Sequence, residues 1–142
     1  MTPDQAWIVR MTWTALAPRA DEVVADFYAR LFELEPEARR MFAHVDMAAQ
    51  RRKFGDMLGA LVHLLDDPAD VVAETIPAAR RHTAYGVGDR HLDAGREALL
   101  DALAAALGAQ FTIEARQAWA ELYDLAAAVM RRASVRVAAA RI

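Results

Sequence analysis

The chain of 142 residues contains no cysteine, which excludes disulfides and thiolate metal sites and fits a reducing compartment. Its N-terminus lacks the basic segment and apolar run of a secretory signal. No stretch approaches the roughly 18 consecutive apolar residues of a membrane span. No segment alternates polar and apolar residues with period two, so strands are not expected. These absences favour an all-α cytoplasmic protein without a membrane span.

Size and charge limit the kinds of partner. The length predicts one domain over residues 1–142, large enough to bury a substantial core. The 17 basic and 20 acidic side chains give a formal net charge of −3, so no overall positive field would attract nucleic acid. We therefore expect a globular domain that does not bind nucleic acid.

Caps, prolines and apolar stripes predict about six or seven helices. Thr2 and Pro3 signal the start of the first helix, and Pro18 separates it from the next. Asp46 caps a long helix that ends near Leu65. The predicted buried face of the first helix comprises Ile8, Met11, Ala15 and Leu16.

The second half of the chain contains three further helical regions. A weak helical stretch after Pro68 is predicted to end near Thr75, and Pro77 to start a new segment that leads to His82. Thr112 is predicted to cap the last helix. The predicted buried face of that helix comprises Ala115, Trp119, Leu122, Ala126, Val129 and Met130.

Polar residues interrupt the apolar faces of three helices. Tyr28 and Gln50 each lie between apolar residues at helical spacing, and His82 lies on a third helix. A buried amide or phenol without a partner costs about 1–3 kcal/mol. Each residue alone is explained by a bond to a neighbouring backbone group. Three such residues together are typical of a ligand cavity with a few convergent polar groups.

The surroundings of His82 indicate which ligand would fit. Ala78 and Ala79 precede it by one turn and Gly86 follows, so small residues are predicted to clear space for a large planar partner. The spacings of zinc and di-iron sites are absent, as are hydrolase signatures and a phosphate-binding loop. One axial histidine without a second protein ligand suits haem iron.

Four segments together resemble the globin family, and in particular a bacterial single-domain haemoglobin of the flavohaemoglobin and neuroglobin-like lineage. They are FYARLFELEPEARRMF, QRRKF, ARRHTAYGV and EARQAWAELYDLAAAVM. Their order and spacing cover nearly the whole chain. The resemblance implies a globin fold of about six or seven helices around a haem pocket.

The resemblance also implies roles for individual residues. His82 would bind the haem iron, and the distal side would carry Tyr28, Gln50 and Phe54. Lys53 would reach a haem propionate. The other implied haem contacts are Phe42, Val87 and Leu92, and the implied proximal supports are Arg81, Tyr85 and Tyr123.

The implied function is reversible binding of dioxygen, carbon monoxide and nitric oxide at a five-coordinate haem b. The role would be oxygen binding, storage or transport, or nitric oxide scavenging. Leu92 and Ser134 stand where flavohaemoglobins carry a proximal tyrosine and glutamate. We therefore expect the outer nitrogen of His82 to bond a carbonyl of its own helix. We expect nitric oxide dioxygenase turnover only with a separate reductase.

Two other readings remain open from the sequence. A histidine phosphotransfer module carries His-x-x-Lys-Gly, and this chain keeps His82 and Gly86 but has Tyr85 in place of the lysine. A globin that has lost haem could act as a stress-signalling module. A visible spectrum distinguishes these alternatives, because only bound haem gives a Soret band.

Overall fold

Seven α-helices make up the part of the chain that the computed structural model describes, which is residues 1–140, with side chains to residue 133. The helices are α1 (Pro3–Leu16), α2 (Ala20–Leu34), α3 (Pro36–Met41), α4 (Met47–His63), α5 (Pro68–Ala84), α6 (Asp89–Leu107) and α7 (Ile113–Ala140). Short 3-10 turns follow α1 and α6. No strand occurs among these residues, so the predicted all-α class is confirmed.

The predicted helix starts coincide with side-chain caps. The Thr2 hydroxyl accepts a hydrogen bond from the Gln5 backbone N–H at 3.1 Å, and the Gln5 side chain accepts one from Thr2 in return. The Asp46 carboxylate accepts from two backbone N–H groups of α4. Thr112 accepts from the Ala115 backbone N–H at 3.1 Å. These bonds satisfy backbone donors that a helix start leaves without partners.

The predicted buried face of α1 is wrong except at Leu16. The buried residues are Ala6, Val9, Thr12 and Leu16, whereas Met11 and Ala15 are exposed and Ile8 is half-buried. Met11 is 50% exposed. Thr12 can be buried because its hydroxyl donates to the Ile8 carbonyl at 2.8 Å and accepts from the Trp119 indole N–H at 2.8 Å. Both bonds satisfy the hydroxyl, so its burial carries no penalty for an unpaired polar group.

The predicted break at Pro77 is also wrong, because α5 continues from Pro68 through Pro77 to Ala84. A proline inside a helix removes one backbone hydrogen bond. The buried face of α5, which consists of Val71, Thr75, Ala78 and Ala79, offsets that loss through tertiary packing. The principal partner of α5 is α7. One uninterrupted helix therefore carries His82 in its last turn.

Packing between helices distant in sequence positions the site. Besides the α5–α7 contact, α2 packs on α6 and α1 packs on α7. Trp119 on α7 is fully buried at the centre and packs against Trp13 of α1 at a centroid distance of 6.4 Å. The predicted inner face of α7 is confirmed from Ala115 to Val129, while Met130 is only half-buried. This framework encloses a cavity between α2 and α4 on one side and α5, α6 and α7 on the other.

Candidate functional site

The cavity is lined largely by apolar side chains. Apart from the indole of Trp119, its polar side chains are Tyr28, His82, His91 and Tyr123. The indole N–H of Trp119 is already used by Thr12. An apolar cavity with a few polar groups is suited to a largely apolar ligand that needs a small number of directed contacts.

His82 is held by its own helix. Its Nδ1 lies 2.6 Å from the Ala78 carbonyl oxygen, one turn earlier. A carbonyl only accepts hydrogen bonds, so Nδ1 carries the proton and Nε2 keeps its lone pair. Burial is the main cause that lowers the pKa of His82, and the nearby charge of Arg81 lowers it further. The neutral ring can therefore coordinate a metal through Nε2. The predicted bond between His82 and a carbonyl of its own helix is confirmed.

Ala78 and Ala79 do not have the role that the sequence predicted. Both are buried, but neither lines the cavity. They lie on the face of α5 that packs into the protein, where α7 is the main partner. Their small side chains therefore allow close packing of α5, and they do not clear space beside the imidazole.

Tyr28 and Gln50 are brought together on the opposite side, but only Tyr28 lines the cavity, and Gln50 is half-buried outside the lining. The Gln50 amide Nε2 donates to the Tyr28 hydroxyl oxygen at 3.1 Å. Burial raises the pKa of Tyr28, an effect that the bond from Gln50 partly opposes. The hydroxyl therefore stays protonated at neutral pH. Because its oxygen accepts the bond, its proton remains available for donation.

Aromatic rings fix the position of the Tyr28 side chain. Phe54 stacks on Phe27 at 4.5 Å between centroids, with the planes 5° apart. Tyr28 meets Phe42 and Phe54 edge to face, each at 5.8 Å. Phe42 and Phe54 both line the cavity, as expected for residues in contact with its occupant.

The remaining predicted site residues divide into two groups. Val87, Leu92 and Tyr123 line the cavity. Lys53, Arg81 and Tyr85 are exposed and do not line it. The expected contact of Lys53 with a propionate stays a prediction, and so does the support expected from Arg81. Tyr85 is 56% exposed, and no hydrogen bond joins its side chain to the described residues.

Tyr123 crosses from α7 to the first turns of α6. Its hydroxyl donates to the Leu92 carbonyl at 2.6 Å, and burial raises its pKa strongly. Gly95 makes this contact possible, because a Cβ at that position would lie 2.6 Å from the tyrosine oxygen. Tyr123 therefore stabilises the backbone that carries the lining residue Leu92. Ser134, which stands where flavohaemoglobins carry the proximal glutamate, has its side chain outside the described residues.

The sequence interpretation missed His91 as a cavity residue. Its Nδ1 accepts a hydrogen bond from the Gly88 backbone N–H at 3.0 Å, at the start of α6. Its Nε2 is buried and has no hydrogen-bond partner among the described residues. A glycine three residues before a histidine at a helix start was the available signal. It was overlooked because capping boxes are usually sought with Glu or Gln at that position.

Comparison with known proteins agrees with this helical architecture and its histidine-bearing cavity. A family model described as Globin matches residues 25–130, and the chain belongs to the globin family. Members of this family typically bind haem, which the resemblance in the sequence also implied. The predicted globin fold is thereby confirmed.

Several relatives are similar along most of the chain. An anaerobic nitrite reductase of Oryza sativa subsp. indica is 25% identical over 89% of this chain and 91% of the relative. Neuroglobin of Dissostichus mawsoni is 27% identical over 87% of this chain and 86% of that protein. A flavohaemoprotein of Rhizobium meliloti is 28% identical, and the match covers 82% of this chain but only 29% of the relative.

A solved structure agrees closely with the fold. It is an engineered carbene transferase, a proposed nitric oxide dioxygenase, from Rhodothermus marinus. It superposes with a TM-score of 0.88 at 28% identity, covering 99% of this chain and 97% of the other.

The family match also bears on one of the two other readings. A histidine phosphotransfer module is not supported, because the chain belongs to the globin family and His82 lines a largely apolar cavity. Within the described residues, no helix combines the length and apolarity that a membrane crossing requires.

Proposed function

We propose that this globin binds a b-type haem through His82 and holds dioxygen reversibly. The cavity fits such a group, because it is apolar and contains one imidazole whose Nε2 keeps a lone pair. When bound, the haem iron supplies the coordination position for dioxygen, carbon monoxide and nitric oxide. The bond from His82 to Ala78 fixes both the tautomer and the orientation of the ring.

The Tyr28–Gln50 bond is the observation that best supports dioxygen as the ligand. Because Gln50 donates to the Tyr28 oxygen, the tyrosine hydroxyl is free to donate its proton into the cavity. Dioxygen accepts hydrogen bonds more strongly than carbon monoxide does. Tyr28 therefore favours dioxygen, and Gln50 orients Tyr28 for that contact. Phe54, stacked on Phe27, narrows the route to this donor.

The partner of His82 favours binding over oxidative chemistry. A carboxylate bonded to Nδ1 would raise the basicity of the ring and promote O–O bond cleavage. Here Nδ1 bonds a neutral carbonyl. We therefore propose oxygen binding, storage or transport as the main role in the cytoplasm. Nitric oxide scavenging is the second candidate, supported by the similar solved structure described as a proposed nitric oxide dioxygenase, and it would need a separate reductase for turnover.

Spectra of the purified chain test the proposal. We expect one haem per chain, a Soret band, a five-coordinate ferrous form without gas, and reversible spectral changes on addition and removal of dioxygen. Absence of a Soret band after reconstitution with haem would refute cofactor binding. A low-spin ferrous spectrum without added ligand would refute the open coordination position. Sustained nitric oxide consumption with NADH and no reductase would refute the need for a partner.

A further inference from the structure

The basic side chains of the protein are distributed unevenly along the chain. Of the 17 basic and 20 acidic side chains, segments 38–54 and 77–88 contain seven and one. The rest of the chain therefore contains ten basic and 19 acidic side chains, so the net charge of −3 divides into +6 and −9. We call the seven basic residues the basic rim, and they are Arg39 and Arg40 on α3, residues 51–53 on α4, and Arg80 and Arg81 on α5.

The basic rim borders the cavity without lining it. Residues 39–40 separate two lining residues of α3, residues 51–53 directly precede Phe54, and residues 80–81 directly precede His82. All rim side chains are exposed except one that is half-buried, and none belongs to the lining. A short link joins the end of α4 to the start of α5, so the rim residues of these helices lie at the opposite ends of a helical hairpin. The rim is therefore a surface feature beside the cavity.

The charges of the basic rim are not neutralised within the described part of the chain. No rim residue forms an ion pair there, whereas six of the eight other arginines with described side chains pair with a carboxylate. The nearest acidic residues already have other partners. Arg90 bonds both Glu35 and Glu37, and the Asp46 carboxylate accepts from backbone N–H groups of α4. Like charges without counter-charges produce a positive field over this part of the surface.

We propose that the basic rim docks a separate electron-donor protein that presents an acidic face. This inference rests on the proposed function, in which nitric oxide turnover needs a separate reductase. The reduced donor loses one electron, which converts ferric haem iron to ferrous iron, and no covalent bond forms or breaks. The rim is suited to this step because it surrounds the cavity that would hold the haem.

The charge distribution favours a compact acidic protein over an extended polyanion. A nucleic acid or an anionic membrane would extend beyond the rim and meet the rest of the surface, where the net charge is negative and repels it. A small protein can contact the rim alone, since transient electron-transfer complexes bury less than about 1,200 Å². Opposite charges also accelerate the encounter of two proteins.

Two triple variants with the same net charge test the proposal. The rim variant neutralises three exposed residues outside the cavity lining, which are Arg40→Gln, Arg52→Gln and Arg80→Gln. The control variant adds three acidic residues at exposed positions outside both segments, which are Ala105→Glu, Gln110→Glu and Gln117→Glu. Lys53 and Arg81 stay unchanged, because the globin resemblance implies haem-related roles for them.

Binding and electron transfer are measured separately on the haem-loaded proteins, with flavodoxin, a small acidic flavoprotein, as the donor. Binding of oxidised flavodoxin to the ferrous carbon monoxide form is followed by NMR shift changes, and no electron passes in this measurement. Reduction of the ferric form by reduced flavodoxin is followed by stopped-flow spectroscopy. Photoreduced lumiflavin, an uncharged small reductant, reports any change in the haem itself.

At low salt we expect flavodoxin to bind the rim variant and to reduce it about tenfold more slowly or weakly than the unmodified protein. The control variant should change by no more than about twofold, and about 200 mM salt should diminish the difference between the variants. Lumiflavin should reduce all three proteins at the same rate. The NMR shifts should map to the basic rim.

Three results would overturn the inference. The first is no binding of flavodoxin to the unmodified protein at low salt, and the second is an equal effect of the rim and control variants. The third is tighter binding of single-stranded RNA or of phosphatidylglycerol vesicles than of flavodoxin, lost in the rim variant, which would assign the rim to another class of partner. Failure of the unmodified protein to bind haem would instead refute the proposed function, and the electron transfer with it.

Discussion

The two walls of the cavity hold their key polar groups in different ways. On the α5 side, His82 is fixed by a single bond to Ala78, one turn earlier in the same helix. On the α2 side, Tyr28 is held by Gln50 and by rings from other parts of the chain, including Phe42 and Phe54. The first arrangement is local and the second is tertiary. Changes at His82 should therefore remove the cofactor, while changes around Tyr28 should tune what the cofactor binds.

The largest effect is expected from His82→Ala. Without the only imidazole prepared as a ligand, the protein should retain haem poorly, and added imidazole should restore part of the Soret band. His63→Ala, at an exposed histidine at the end of α4, is the matched control and should load normally. Haem content and visible spectra provide the measurement. Normal loading of His82→Ala with an unchanged spectrum would contradict the assignment.

The next effect concerns the opposite wall. Tyr28→Phe should accelerate dioxygen dissociation about ten- to a hundredfold, because a hydrogen bond to a charged or strongly polarised partner is lost. Carbon monoxide dissociation should change much less. Tyr85→Phe, at an exposed tyrosine outside the cavity lining, should change neither rate. Flash photolysis and stopped-flow mixing measure both gases. Equal effects on the two gases would mean that Tyr28 acts by bulk.

The α5 side of the cavity also includes α6 and α7, and a pair of glycines tests the contact between these two helices. Gly95→Ala would place a Cβ 2.6 Å from the Tyr123 oxygen and break its bond to Leu92. We expect a loss of about 1–3 kcal/mol in the free energy of unfolding, the cost of an unsatisfied buried group. Gly55→Ala meets its nearest side chain at 3.8 Å and should be neutral or stabilising. Denaturant unfolding of the haem-free protein gives the comparison, and similar results at the two positions would disprove the role of Tyr123.

Alkaline pH should reveal the buried hydroxyls of both walls. Burial raises the pKa of Tyr28 and of Tyr123, so the unfolded chain loses these protons first as pH rises. Stability should be nearly constant below about pH 9 and then fall with increasing pH, by at most about 1.4 kcal/mol per pH unit for each tyrosine. The chain has one lysine, so little else titrates in this range. Tyr28→Phe and Tyr123→Phe should each reduce the slope, as measured by denaturant unfolding between pH 9 and 11.

The smallest effect is expected at the entrance to the Tyr28 wall. Phe54→Leu removes the ring that stacks on Phe27 and should raise the association rates of dioxygen and carbon monoxide by a similar modest factor. Phe111→Leu, at a residue outside the cavity lining, is the matched control. Unchanged association rates in Phe54→Leu would show that ligands enter by another route.

The difference between the two walls also explains what could be predicted from the sequence. The bond between His82 and Ala78 spans one helical turn, and the resemblance to globins was sufficient to predict a bond to a carbonyl of the same helix. The inward positions of Tyr28 and Gln50 could be predicted from periodicity, but their 3.1 Å contact depends on how α2 and α4 pack. Spacing alone gave no sign that Lys53 would lie outside the cavity lining.

The wrong predictions for α1 and for Pro77 have the same physical cause, which is contact with a helix distant in the sequence. Thr12 is buried because it bonds Trp119, which lies 107 residues away in the sequence. Pro77 is tolerated within α5 because the helix packs mainly on α7. Sequence rules that consider only neighbouring residues do not include this packing. His91 differs, since its bond to Gly88 is local. Its orientation could have been predicted by considering which ring nitrogen a backbone N–H would engage.

The bond between Thr12 and Trp119 has a consequence for synthesis on the ribosome. The hydroxyl of Thr12 leaves the exit tunnel well before Trp119 has been translated, so early in synthesis it can bond only its own helix. The surface of α1 that packs on α7 therefore stays uncovered until the last helix is made, although α4 and α6 also contact α1 and are made earlier. We expect nascent chains that stop before α7 to bind chaperones through α1, and release to coincide with the emergence of Trp119.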